Sequence, residues 1–379
     1  MRPIEMCDLR TQYARVRQEI DESIQEVLTS GQFIRGPVVQ AFEQELANHI
    51  GSAHVIGCAN GTDALQIALM ALDLQPGDEV ITPSFTYAAT VEVVKLLGLI
   101  PVYVDVDEKT FLLDVQQLEP LITPRTRAII PVHLFGQCAD MESILAVARR
   151  HQLAVIEDTA QAIDAQYTFA DGTTKKAGTM GDIGTVSFFP SKNLGCYGDG
   201  GALFTQDQSV ADKLRMIANH GQTGLYQFDR VGVNSRLDAL QAAILRVKLK
   251  QLREYTQRRQ LLASRYDDAF THLPQLEVPF RSANSTHVFH QYTLKMPSSI
   301  RNKLREKLTA CGIPTMIYYP SPMHLQPAYQ DVNATTYMPV SELLTNCVLS
   351  LPMHTEMDEL QFYFITQHVV SEYSKFFNL

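Results

Sequence analysis

From residue 53 to residue 205, short apolar runs alternate with amphipathic stretches, and this alternation restricts the fold more than any other feature. Runs at 53–58, 79–82, 101–104, 128–132, 153–157, 185–189 and 202–205 have the length of strands. Helical periodicity fills 63–72, 87–97, 114–123 and 140–151 between most of them. Parallel strands need a long crossover, usually a helix, so the pattern implies a mainly parallel α/β sheet covered on both faces. Chemistry is then expected at the carboxyl ends of the strands. Ahead of this region, 12–30 reads as an amphipathic helix with Val16, Ile20, Ile24, Val27 and Leu28 on one face. A second helix follows Pro37, through Phe42, Leu46 and Ile50. After Thr205 the alternation stops, and a long helical pattern runs from about Arg236 to Tyr266 with Asn234-Ser235 as its expected cap. A strand near 290–295, a helix near 299–311, the segment 314–319 and a last helix from about Asp358 form a smaller α+β pattern. The expected division is a large unit, 1–250, and a small C-terminal unit, 251–379. Residues 320–340 lack periodicity and read as a long loop near the junction.

Composition narrows the function. The net charge is −9, from 32 basic and 41 acidic residues, which argues against generic binding to nucleic acid or anionic membranes. An anionic substrate would need local arginines. The six cysteines are scattered, with neither CxxC nor metal-ligand spacing, so reduced thiols, no metal and a cytoplasmic setting are expected. Arg2, Glu5, Asp8 and Arg10 deny the N-terminus a signal-peptide core, and Glu92 and Lys95 interrupt the best apolar stretch.

The candidate chemistry centres on Lys192. It follows the apolar run ending at Phe189 and precedes Gly195, Gly198, Gly200 and Gly201, four glycines within seven residues. A lysine on an apolar lip, with backbone able to approach closely, can be partly desolvated and made nucleophilic. At Asn60-Gly61-Thr62-Asp63 a strand end, a tight turn and a helix start follow one another, which suits a phosphate. Asp63 would offer its N–H there, since its carboxylate repels an anion. Asp158 ends a buried-strand pattern and reads equally as a ligand-binding acid or as a helix cap. Ser187 could donate to the phosphate and Tyr87 could stack on a ring, although either could simply pack. His133 reads as structural. Together these residues suggest that Lys192 carries pyridoxal phosphate as a Schiff base, with Asp158 keeping the pyridine nitrogen protonated.

The blocks Asn60–Leu65, Gly77–Pro83, Glu157–Gln161, Ser187–Lys192 and Gly232–Asp238 occur in an order that resembles the DegT/DnrJ/EryC1/StrS aminotransferases. These are fold-type-I pyridoxal phosphate enzymes acting on nucleotide-linked keto-sugars, and the resemblance covers nearly the whole chain. It implies that Lys192 bonds the cofactor and later shuttles a proton, that Asp158 meets the pyridine nitrogen, and that Gln161 bonds the ring hydroxyl. Gly61, Thr62, Asp63 (through backbone) and Ser187 would hold the phosphate, with Tyr87 over the ring. Asn234 would reach the cofactor of a second subunit, making a homodimer the working unit. L-glutamate would be the amino donor and a UDP-linked keto-sugar the acceptor. The stretches at 135–140, 194–201, 219–222 and 351–354 are most similar to the subgroup aminating C3 of UDP-2-acetamido-2-deoxy-3-keto-glucuronic acid. That subgroup sets an arginine and a His-Tyr pair on the sugar carboxylate. Arg236 and Tyr319 match, whereas Tyr318 stands where the histidine belongs. A C4 aminotransferase for a UDP-4-keto-6-deoxy sugar is the alternative. A non-catalytic cofactor-binding regulator is a rival of another class, and a nicotinamide dehydrogenase is disfavoured by the spacing of Gly198, Gly200 and Gly201.

Overall fold

The computed structural model describes residues 1–330 and 337–377. Seven strands form the main sheet: β1 (His54–Cys58), β2 (Glu79–Pro83), β3 (Ile100–Val104), β4 (Thr126–Ile129), β5 (Ala154–Asp158), β6 (Ile183–Ser187) and β7 (Gly201–Thr205). Their spatial order is β1-β7-β6-β5-β4-β2-β3. All neighbours run parallel except β7, which is antiparallel to both β1 and β6. β2 and β7 are buried along their whole length, as a sheet covered on both faces requires. One core, with Ile67, Val80, Ile130 and Ile156, lies against a face opposite a second core containing Ile81, Ile129, Ile144 and Val155. Neighbouring strand residues such as Val80 and Ile81 thus serve opposite cores, which is why these strands read as unbroken apolar runs.

The first amphipathic stretch is two helices, Leu9–Arg15 and Arg17–Ser30, broken at Val16. Val16, Ile20 and Val27 are buried as expected, while Leu28 is exposed. The helix foreseen at 114–123 shrinks to one 3₁₀ turn and the single α turn Leu118–Leu121, Pro120 being tolerable only in a first turn. Alternation does not stop at Thr205: helix Gln208–Ile217 follows, capped by Asp207, which accepts N–H bonds from Ser209 and Val210. The long helix is Ala239–Phe270, and its cap is Asp238 rather than Asn234-Ser235. Its first half packs with Phe42, Phe188 and Leu194 up to Leu252. From Leu262 onward it packs with Tyr292, Leu304, Leu349 and Ile365.

The C-terminal part pairs β8 (Tyr292–Lys295) antiparallel with β9 (Val348–Leu351), flanked by helices Ser298–Ala310, Pro339–Cys347 and Glu359–Ser374. Segment 314–319 forms no strand and contributes only a bridge between Met316 and Ser350. Asp358 opens the last helix with a capping box to Gln361. Part of the loop expected at 320–340 falls on 331–336, outside the described residues. Met323–Leu325 is a 3₁₀ turn, and Pro339 already belongs to a helix.

Candidate active site

β5 ends with two consecutive acids, and the two-residue period of a strand turns them to opposite faces. Glu157 is enclosed by backbone: it accepts from Gly178 N–H at 2.8 Å, from Met180 and Gly181 N–H at 2.6 Å each, and from His133 Nε2 at 2.9 Å. His133 Nδ1 accepts from Ala139 N–H at 3.1 Å, so both ring nitrogens hold local structure. Asp158 faces the other way and is 6% exposed. Its Oδ1 accepts from Ala160 N–H at 3.1 Å and its Oδ2 from the Thr90 hydroxyl at 3.0 Å. No helix starts after it, so Asp158 is not a helix cap.

The chain leaves β6 at Ser187, two residues before the apolar run ends, and Phe189 is exposed. A tight turn follows, with Lys192 N–H bonded to Phe189 O and Cys196 N–H to Phe188 O, both at 2.8 Å. Gly195 permits it, since a Cβ there would lie 2.3 Å from Pro190 O. The Lys192 amine has no hydrogen-bond partner among the described residues. Burial pushes it down to about 8, while the Asp158 charge pulls the other way. The amine follows the end of β6 and the acid ends the neighbouring β5, near enough for the Asp158 charge to act on Lys192.

The turn after β1 supplies the anion cradle. Asn60 Oδ1 accepts from Asp63 N–H at 2.8 Å, and Asn60 O accepts from Ala64 N–H at 3.1 Å. This corrects the expectation for Asp63, whose amide is spent on the cap. The N–H groups of Gly61 and Thr62 have no acceptor among the described residues. Gly61 lies against the end of β6, where a Cβ would come within 2.6 Å of Ser187 Cβ. Two free amides and the Ser187 hydroxyl around a space that one methyl group would invade fit the phosphate of pyridoxal phosphate.

Gln161 is held at both ends, accepting from Phe135 N–H at 2.8 Å and donating from Nε2 to Tyr319 OH at 2.9 Å. Tyr87 is exposed, with its ring centre 6.3 Å from that of Tyr319. Burial raises both Tyr318 and Tyr319, and Gln291 faces the Tyr318 phenol. Lys192, Asp158, Gln161, Tyr87 and Tyr319 are thereby gathered on one side of the sheet's carboxyl ends, with the Gly61–Ser187 cradle at the end of the lysine's own strand. Asn234 and Arg236 flank Ser235, whose hydroxyl accepts from Ala59 N–H at 3.0 Å beside the β1 turn, and neither makes a hydrogen bond to these side chains among the described residues. Asn234 is exposed and bridges Asn219, and Arg236 Nη1 reaches Asn219 Oδ1 at 3.5 Å. Arg236 lines a cavity of about 150 Å³ with Arg35, Glu43 and Arg215. Sequence reasoning missed Thr90, which lies 68 residues from Asp158, and no local signal marks it.

A model of the DegT/DnrJ/EryC1/StrS aminotransferase family matches residues 14–370. The chain is 49% identical over 355 residues to UDP-2-acetamido-2-deoxy-3-oxo-D-glucuronate aminotransferase of Pseudomonas aeruginosa, covering 94% of this chain and 96% of that one. It is 46% identical over 358 residues to UDP-N-acetyl-3-dehydro-alpha-D-glucosamine 3-aminotransferase of Acidithiobacillus ferrooxidans, covering 94% and 95%. Among solved structures, DesV of S. venezuelae, crystallised with a ketimine intermediate, superposes with a TM-score of 0.93 at 39% identity, over 98% of this chain and 99% of that one. With the sheet order, the lysine turn and the anion cradle in place, these matches establish that the chain belongs to the DegT/DnrJ/EryC1/StrS aminotransferases.

Proposed function

We propose that the protein transfers the amino group of L-glutamate to C3 of UDP-2-acetamido-2-deoxy-3-keto-glucuronic acid, for surface polysaccharide such as O-antigen. The observation that carries this reading is the desolvated Lys192 amine facing Asp158 beside an anion cradle. Pyridoxal phosphate, when bound, supplies a carbonyl for the amines and an electron sink. Gly61 and Thr62 would hold its phosphate by their amides and Ser187 by its hydroxyl. Asp158 would face the pyridine nitrogen, Gln161 the ring hydroxyl and Tyr87 the ring. Lys192 would anchor the group and then, free again, take and return a proton through Nζ. At an ordinary lysine value that amine would be protonated at neutral pH and useless as a base. Burial lowers this obstacle by bringing the amine down to about 8.

Asn234 would act across a homodimer, in keeping with its exposure. Arg236, Tyr318 and Tyr319 would bind the sugar. A cytoplasmic setting is supported by six unpaired cysteines, and the division into 1–250 and 251–379 by the change of core between Leu252 and Leu262. A neutral UDP-keto-sugar is the second reading, favoured by Tyr318 in place of the carboxylate-binding histidine. The test is to incubate the enzyme with glutamate and a panel of UDP-keto-sugars, with and without a C6 carboxylate, and to follow 2-oxoglutarate. Turnover greatest with the 3-keto acid is expected; turnover with none of the panel defeats the reading.

A further inference from the structure

Ser84 follows the carboxyl end of β2 and is 0% exposed. Its hydroxyl meets Nδ1 of His324 at 2.6 Å, across 240 residues, and also accepts from the His324 backbone N–H at 3.3 Å. A third contact is main chain to main chain, Met323 N–H donating to Ser84 O at 2.8 Å. On the far side of the buried imidazole, Nε2 lies 3.2 Å from Glu342 Oε1, in helix Pro339–Cys347. A carboxylate only accepts, so Nε2 donates to Glu342 and, in the neutral ring, Nδ1 accepts the Ser84 proton. Ser84, His324 and Glu342 thus stand in the polar order of a hydrolytic triad, but no substrate reaches a hydroxyl with no exposed surface. The arrangement serves geometry instead, and each of the two segments it joins carries an aromatic residue of the site. Tyr87 lies three residues after Ser84, and Tyr319 lies five residues before His324. The loop after Ser84 is pinned a second time: Thr90 spends its one hydroxyl proton on Asp158, so Thr86 Oγ1, 3.2 Å away, donates to Thr90. The Tyr319 ring is tied to Gln161, and its centre lies 6.0 Å from that of Phe85 and 6.3 Å from that of Tyr87. Tyr87 is 61% exposed and its side chain makes no hydrogen bond among the described residues, so the setting of its ring follows from how its loop is held.

We propose that His324 is a positioning residue for Tyr87: by bonding Ser84 it holds the 84–87 loop against the Tyr319 segment and fixes the pose in which the Tyr87 ring meets the cofactor. This rests on the reading that Tyr87 covers the cofactor ring. The clamp lies between parts of the chain that meet only in the folded protein, the end of β2 in the large sheet and the turn Met323–Leu325 that leads toward helix Pro339–Cys347. Met323 supports it by packing with Val91, Tyr103 and Met338. Without the imidazole, Ser84 would keep only its bonds to backbone, and the exposed Tyr87 ring would lose the fixed edge from which its loop departs.

The test uses the full-length protein. In its cofactor-free form, amide hydrogen exchange of the peptide spanning 84–90 is read by mass spectrometry. With pyridoxal phosphate bound, the circular dichroism of the near-visible cofactor band reports how asymmetrically the ring is held. His324→Leu removes both side-chain contacts and should speed exchange at 84–88 about two- to tenfold, the worth of one hydrogen bond, and cut the dichroic band by about half or more. His324→Asn places a polar atom near the position of Nδ1 and should restore both readouts, whereas His324→Gln reaches toward Glu342 and should restore neither. Ser84→Ala breaks the same link from its other side and carries the test if the Leu variant does not fold. Parental exchange and a parental band in the Leu or Ala variant, or an Asn variant that behaves like Leu, overturns the proposal. In a Tyr87→Ala background His324→Leu should cause no further loss of the band; an equal further loss means that His324 acts on the fold at large, and also overturns it. Tyr87→Ala alone is the control for the underlying reading. If it keeps the parental band and the parental affinity for pyridoxal phosphate, Tyr87 does not cover the ring and that reading fails by itself.

Discussion

At the scale of single residues, the site is built at some cost to the fold. The Lys192 amine falls from 10.5 to about 8 because it is desolvated, with Asp158 only partly offsetting the loss. Between those two values the unfolded chain holds more protons than the folded one, so this lysine makes stability rise with pH across that window. Below about 8 both states are protonated and the folded protein bears the whole penalty. Lys192→Met should therefore raise the Tm of the cofactor-free protein by a few degrees at neutral pH, with the gain fading toward pH 10.5. Calorimetry across that range checks it, and a pH-independent gain would mean that packing, not charge, is responsible. The lysine was visible from sequence because its turn has a compositional mark. Thr90 carries no such mark, since a threonine in an apolar context reads as filling. Asp63 was misjudged for a related reason: whether an amide is free depends on the Asn60 side chain, not on the motif.

At the scale of elements, the phosphate cradle exists because two glycines let the β1 turn touch the β6–β7 pair. Gly61 abuts Ser187, and a Cβ at Gly201 would lie 2.5 Å from the Asn60 carbonyl. Neither contact can be relaxed by rotating a flexible side chain, because one side of each is main chain or its first carbon. Gly61→Ala should weaken pyridoxal phosphate binding about tenfold or more while costing about 1–3 kcal/mol of stability from overpacking. Absorbance titration and thermal melts measure the two effects, and unchanged affinity would remove Gly61 from the cradle. The strands were legible because a doubly covered sheet needs apolar runs. The split of the first helix at Val16, the collapse of 114–123 and the hidden helix at Gln208–Ile217 were not. Periodicity records which face is buried, whereas breaks depend on capping and on what packs opposite.

At the scale of the whole molecule, no hydrogen bond joins Asn234 or Arg236 to Lys192 or Asp158 among the described residues, so a site shared between two chains makes a definite claim. Mixing Lys192→Ala protein with Asn234→Ala protein, under conditions that exchange subunits, should restore aminotransferase activity. In the mixed dimer, one site has its own lysine and the other chain's asparagine. Activity no greater than the sum of the parents would place Asn234 within its own subunit's chemistry or in structure alone. The alternation of strand and helix already determined the fold class, and with the lysine turn, the Gly61 turn and the strand-end acid it determined the cofactor, because each is a local pattern of size, polarity and backbone freedom. Only the tertiary structure decided which amides remain free and that Thr90 meets Asp158. Those are questions of where residues distant in sequence meet, and burial and hydrogen-bond saturation answer them only once the chain has closed on itself.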